Sequence, residues 1–310
     1  MTTEPTETIG LLAGSRPRQR RERVIRWFFL SAAATSILIS AAIVLSLAGE
    51  AWTFISNVEL ASLTDIGWFP RRGAYDIGTI VVGTLLVAGI AMLVAAPLGL
   101  GAAIYLSEYA DRRLRKVLKP ALEILAGIPS VVLGYFALTF ITPELLRRIF
   151  GSEVAGFNML AAGVGVGILT IPLVASITED SLRAVPNSLR EASYGLGASR
   201  MRTSLRVVFP AAVSGVVASL IVAFSRAIGE TMVVAIAAGA QGGSLFSVNA
   251  LQPGQTMTAA MASLAIGSDR VRGADFAFQS LFFVGLLLFT MTLTLNVISE
   301  RFVRRVRQRY

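Results

Sequence analysis

Two charges interrupt an otherwise apolar run: Arg226 and Glu230, four residues apart within residues 211–240. On one continuous helix that spacing puts both side chains on the same face. A charge at the bilayer centre costs about 2.5–3.5 kcal/mol on the insertion scale, so each must face protein or water. Arginine presents a planar fork that donates in pairs and stays protonated, which suits a tetrahedral oxyanion. Two readings are open. The residues form a structural pair that locks their helix to its neighbours, or they handle an anion on a translocation path. In the second reading Glu230 either holds Arg226 in place or repels a bound anion so that it does not stick.

Other chemistry is scarce. The 310 residues include no Cys and no His, which removes disulfides, thiolate or imidazole metal sites and Ser–His triads. The only lysines are Lys116 and Lys119, and neither follows a glycine, so the chain has no P-loop and cannot hydrolyse ATP itself. The acids are scattered among loops, and neither metal nor cofactor is expected. Gly163, Gly165 and Gly167 lie in an apolar run with no preceding strand, which points to close helix packing rather than a nucleotide loop. An intramembrane transferase or hydrolase using Glu230 as base lacks a second group to complete its site.

The elements that carry these residues are membrane helices. Charged residues make up 15% of the chain and hydrophobic ones 54%, with mean hydropathy +0.68. Six apolar runs, residues 27–48, 77–106, 122–141, 157–177, 211–240 and 276–298, have the length to cross a bilayer. The fold class is therefore all-α, a polytopic protein of six transmembrane helices. Twenty-one of the 28 Lys and Arg fall in the N-terminal tail, in alternate loops and after the sixth run. That asymmetry places both termini in the cytoplasm. It also accounts for the net charge of +9 as a topogenic signal toward anionic lipid rather than nucleic-acid binding. Residues 1–26 read as a basic tail whose first fifteen residues are disordered, and residues 27–76 as the first span with an outer loop. Residues 77–300 form a five-helix transmembrane domain, and residues 301–310 a second basic tail. Pro97 and Pro129 are expected to kink the second and third spans. Glu123 is expected at headgroup level, with Trp27 and Tyr310 as interfacial anchors.

Residues 179–210, between the fourth and fifth spans, are too patterned for a tether. Pro186 stops what precedes it, and Ser188 with Glu191 fits a capping box for a helix reaching about Tyr194. Gly195 or Gly197 supplies a left-handed turn. Ser199 caps a second helix over residues 200–209, closed by Pro210. Leu189, Tyr194, Leu196 and Met201 set apolar knobs between the arginines. By spacing alone this is equally an amphipathic connector lying on the bilayer.

Glu191-Ala192-Ser193, with Gly197 six residues after the glutamate and Val207-Val208-Phe209-Pro210 beyond, resembles the EAA loop of ABC importer permeases. Ser193, Val207 and Phe209 depart conservatively from that pattern. The segments Ile104–Ala110, Leu125–Ser130 and Arg226–Met232 are similar to phosphate importer permeases. The Met232 continuation with Ala237-Ala238-Gly239, and Trp68-Phe69-Pro70, point to PstC-type subunits.

The resemblance implies a type I importer permease that moves inorganic phosphate by alternating access. Glu191, Ala192, Gly197 and Pro210 would form the ATPase-coupling loop, and Arg226 and Glu230 would line the substrate pathway. It implies three partners: a dimeric cytoplasmic ATPase, a second, PstA-type six-span permease, and an extracytoplasmic phosphate-binding protein. The expected location is the bacterial inner membrane. A six-span secondary anion carrier or channel acting without an ATPase is the alternative, because arginine alone would serve sulfate or molybdate equally.

Overall fold

The computed structural model describes residues 16–64, 66–239, 242–266 and 276–306. The proposed disordered N-terminal residues, Arg270, Arg272 and Tyr310 lie outside them. The chain divides into two compact units, Met1–Gly49 and Glu50–Tyr310. Helix α1, Arg16–Asn57, supplies the described part of the first unit, where Phe28, Phe29, Ile37, Leu38 and Leu45 are all exposed. Such a surface is stable in lipid and not in water.

The second unit opens with the last turns of α1 and a small sheet. Strand β1 (Gly67–Phe69) pairs antiparallel with β2 (Ala74–Tyr75) and with β3 (Ser244–Leu245), in the order β2-β1-β3. Trp68 and Tyr75, directly opposed, join Phe54, Ile80, Met257 and Val284 in one buried cluster. The sheet thereby seals one end of the bundle. Helix α2, Ile77–Ile104, starts from it, with the Asp76 carboxylate accepting from the Gly78 amide at 2.9 Å. Pro97 lies inside α2, which continues to Ile104 and a wider π-type turn, Tyr105–Tyr109.

The apolar run at residues 122–141 is not one span. Residues Arg112–Ala126 form a separate amphipathic helix, α3, capped by Asp111 and ended at Gly127. Pro129 then sits at the cap of α4, Ser130–Phe136, which runs on through π-type turns to Leu146 and a last helical turn at Arg147–Phe150. The third crossing is thus Ser130–Glu153, and Pro129 begins it rather than kinking it. The cause lies in the five Lys and Arg between Arg112 and Lys119, which keep α3 wet on one face while Gly127 and Pro129 break the ladder.

Helix α5, Met159–Arg183, is the most enclosed crossing, 61% of its apolar window being buried. Its glycines behave as packing sites. A Cβ on Gly163 would stand 2.6 Å from Ile90 Cγ2, and one on Gly167 would stand 2.8 Å from Val94 Cβ, both on α2. Then come α6 (Asn187–Gly195) and α7 (Arg200–Thr203, continued through π-type turns to Ala211). The second crossing partner of α5 is α8 (Val213–Ile228), bent 72° from the segment before it. Buried Thr178 and Ser219 share a 2.7 Å hydrogen bond between α5 and α8.

The run at residues 211–240 breaks twice, at Ala212 and again at 229–231, where α8 gives way to α9, Met232–Ala237. Pro210, without an N–H, sits beside the first break. An extended stretch then leads into α10, Met257–Ile266, and finally α11, Ala277–Val306. Among the described residues, five helices are long and apolar enough to cross a membrane, or six when the bent pair counts as one.

Candidate functional site

The loop between α5 and α8 is a rigid elbow. Helix α6 begins directly after Pro186, with no side-chain cap. The capping box of Ser188 and Glu191 therefore does not form, because the helix starts at Asn187, two residues too early for Ser188 to flank it. Glu191 and Ala192 stand exposed instead. The helix closes through Leu196 N to Ala192 O (3.1 Å) and Gly197 N to Tyr194 O (2.9 Å). Gly197 adopts φ +78°, while Gly195 remains the last helical residue, so the left-handed position belongs to Gly197. Ser199 caps α7 as its spacing predicts, accepting from Arg202 N at 3.4 Å. The buried hydroxyls of Ser193 and Thr203 meet at 2.8 Å and fix the two short helices against each other. Beyond Gly197 the helix runs through Pro210 to Ala211, so the turn comes two residues later than expected. On the outside of the elbow Leu196 is 89% exposed and Met201 64%, flanked by exposed Tyr194 and Leu205.

Arg190 welds this elbow to the crossings. Its Nη2 meets Glu108 Oε1 at 2.9 Å and its Nε meets Oε2 at 3.4 Å. The same guanidinium donates to the carbonyls of Leu182 (2.8 Å) and Val185 (2.6 Å) at the end of α5. Glu108 is buried in the turn that ends α2. Arg200 lies over the Tyr109 ring at 5.4 Å, a second tie to the same turn. The sequence carried a signal for this pair, an acid closing an apolar run and a later loop rich in arginine, but no spacing rule joins residues 82 apart.

A second ion cluster clasps α3 to α5. Glu179, 1% exposed, accepts from Lys119 Nζ at 2.6 Å and attracts Arg115 at 3.7 Å and Arg183 at 3.5 Å. Lys119 also reaches Asp180 at 3.0 Å. The hydrogen bond to Glu179 holds the Lys119 ammonium above its ordinary pKa, against the opposing pull of partial burial.

Arg226 and Glu230 do not share a helix face. Arg226 occupies the last turn of α8, and Glu230 lies past its end. Glu230 turns forward: its Oε1 accepts from the first amides of α9, Met232 N (3.2 Å) and Val233 N (3.3 Å). Its carbonyl accepts from Thr258 Oγ1 at 2.7 Å. The expected Arg–Glu pair is therefore not made; the carboxylate is held as a helix cap. Arg226 has no hydrogen-bond or ion-pair partner among the described residues. It opens on a cavity of about 290 Å³ with Lys119, Glu123, Leu169, Pro172 and Glu179. Glu123, on exposed α3, thus belongs to this cavity rather than to the start of a crossing. An exposed guanidinium at the edge of a mostly apolar cavity, backed by the cations around Glu179, can receive an anion without a permanent counter-ion. Among the described residues no cluster of acids could hold a metal.

Residues 95–310 match the family described as binding-protein-dependent transport system inner membrane component. The chain belongs to that family. Its curated relatives include the phosphate transport system permease protein PstC of Xylella fastidiosa (strain 9a5c), 31% identical over 93% of this chain and 94% of that protein. The PstC of Mesorhizobium japonicum is 29% identical, covering 93% and 95%. Within its family the permease groups with these PstC-type proteins. Among solved structures, a bacterial ABC transporter involved in the import of the acidic polysaccharide alginate superposes with TM-score 0.64 at 14% identity, covering 94% of the permease and 100% of that chain. The inward-facing MetNI methionine ABC transporter gives TM-score 0.52 at 19% identity, covering 73% and 92%. Those two likenesses are of fold, that of an importer permease. The permease is a multi-pass membrane transport component.

Proposed function

We propose that the permease is one of two membrane subunits of an ATP-driven importer of inorganic phosphate. A dimeric cytoplasmic ATPase docks on the elbow at residues 179–210 through Glu191, Ala192, Leu196 and Met201. A PstA-type permease completes the pathway, and an external phosphate-binding protein delivers the substrate. Both termini face the cytoplasm. Nucleotide-driven closure of the ATPase moves the elbow. Arg190 passes that movement to α2 and α5, and the cavity beside Arg226 opens alternately to either side. The observation that carries this reading is the elbow itself: a Gly197 turn with an apolar outer tip, anchored by Arg190 to two crossings. The PstC relatives support phosphate as the substrate. Membership in a binding-protein-dependent family favours the ATPase-driven reading over a self-sufficient carrier or channel.

Because the chain has no cysteine, a single one placed at Leu196 or Met201 reports one contact only. Cross-linking in the assembled importer should capture an ATPase subunit. Capture of none, or protease cleavage of this loop from outside the cell, would overturn the reading. Arg226→Gln should abolish phosphate uptake with membrane insertion intact. Near-normal uptake by that variant would remove Arg226 from the pathway.

A further inference from the structure

At the end of the bundle sealed by the small sheet lies a second cavity, of about 450 Å³, lined among others by Arg71, Met232, Ile236, Gln255, Ala259 and Ser263. It is separate from the cavity at Arg226: α2 starts beside the sheet and ends beside Glu108 and the elbow.

Gln255 sits in the extended stretch just before α10 and is 2% exposed. Its backbone is pinned. A Cβ on Gly83 of α2 would stand 2.3 Å from the Gln255 carbonyl oxygen, and the amide two residues on, Met257 N, donates to Thr84 Oγ1 at 2.9 Å. Non-helical backbone at membrane depth is tolerated where it is enclosed by protein or lines a cavity, and here it does both.

The orientation of the Gln255 amide follows from its neighbour. Ser263 donates its only hydroxyl hydrogen to Ala260 O at 2.9 Å, so toward Gln255 it can only accept. The 3.3 Å contact must therefore come from Gln255 Nε2. That leaves Gln255 Oε1 buried and without a hydrogen-bond partner. A buried acceptor left unpaired costs about 1–3 kcal/mol, and such groups are usually completed by water or by a ligand.

We propose that this cavity is a way-station for an oxyanion that still carries a hydrogen on oxygen. Arg71 supplies the positive charge, and Gln255 Oε1 accepts the O–H of the ligand. Phosphate and arsenate, which keep at least one O–H at neutral pH, satisfy both groups. Sulfate, fully ionised, satisfies Arg71 alone and sets its lone pairs against those of Oε1. The apolar lining from Met232, Ile236 and Ala259 raises the cost of that mismatch, because no local group can replace the missing hydrogen. The cavity has room for a tetrahedral oxyanion and several waters, each taking about 30 Å³. This assignment rests on the phosphate-importer reading above and adds to it a specificity-determining residue within the membrane subunit.

The test uses the assembled permease complex in nanodiscs, without the external binding protein. Arg226→Gln is the background, so that the other cavity does not contribute. Radiolabelled inorganic phosphate is the probe, with sulfate and arsenate as competitors. Arsenate should displace phosphate and a tenfold excess of sulfate should not. Gln255→Leu should weaken phosphate binding about tenfold and bring sulfate close to parity. Arg71→Gln, on an exposed turn, should weaken phosphate about tenfold. Unchanged affinity and unchanged preference in both variants would overturn the assignment. Failure of the complete wild-type importer to take up phosphate would overturn the transport reading itself, and this assignment with it.

Discussion

At Gly197 the obstacle to a side chain is conformational. Its φ is +78°, and a Cβ there would meet nothing within 4 Å. Gly197→Ala should therefore cost about 1–2 kcal/mol, the left-handed penalty of an L-residue, with no steric addition. Hydrogen exchange across residues 179–210 would read it as a local loss of protection, while the crossings keep theirs. Glycine at this position was legible because αL turns select it. Choosing Gly197 over Gly195 was not, because both are compatible with a short helix followed by a second cap. The shared helix face expected of Arg226 and Glu230 does not form, for a related reason. An i, i+4 rule presumes an unbroken helix, and a carboxylate two residues past a helix end can turn forward to cap the next one.

The elements are tied by two ion clusters of different exposure, and they should respond differently. Glu108 is buried and Arg190 largely enclosed, with side chains 4% and 14% exposed. Arg190→Ala leaves Glu108 enclosed and uncompensated, a loss of about 3–5 kcal/mol for a buried pair broken on one side. In the complete importer the expected signature is ATP hydrolysis that no longer drives uptake. Deuterium uptake should rise in α6 but not at the sheet. Lys119 is the partly exposed case. Its pKa is raised in the folded chain, so its contribution is fully present below the ordinary lysine value near 10.4 and is lost as pH rises through the higher folded value. The clasp between α3 and α5 should hence be indifferent to pH from acid-neutral conditions to mild alkali, and should loosen only in strong alkali. Exchange protection of α3 across a pH series, corrected for intrinsic exchange, checks this. The helices themselves were readable from apolar runs. The split of residues 122–141 was not, because Leu122–Ala126 continues the hydrophobic count while geometrically completing an amphipathic helix that starts among arginines.

For the whole molecule, crossing number and the elbow's place between crossings followed from two independent regularities, run length and the alternation of Lys and Arg. The short sheet, the unwound stretch before α10 and the cavity behind it did not. Their partners lie far apart in sequence, Gly67 against Leu245 and Thr84 against Met257, and no local periodicity records such pairings.

The tip of the elbow has one more consequence. Leu196, Met201, Tyr194 and Leu205 face outward together on a small, stiff projection. On the proposed orientation, and in a cell that makes this subunit in excess of its proposed motor, that greasy knob stays uncovered in the cytosol, where housekeeping proteases survey newly inserted chains. Pulse-chase labelling should find a shortened lifetime for the orphan, and Leu196→Ser should lengthen it, so the surface proposed to engage the motor would also keep subunit numbers matched.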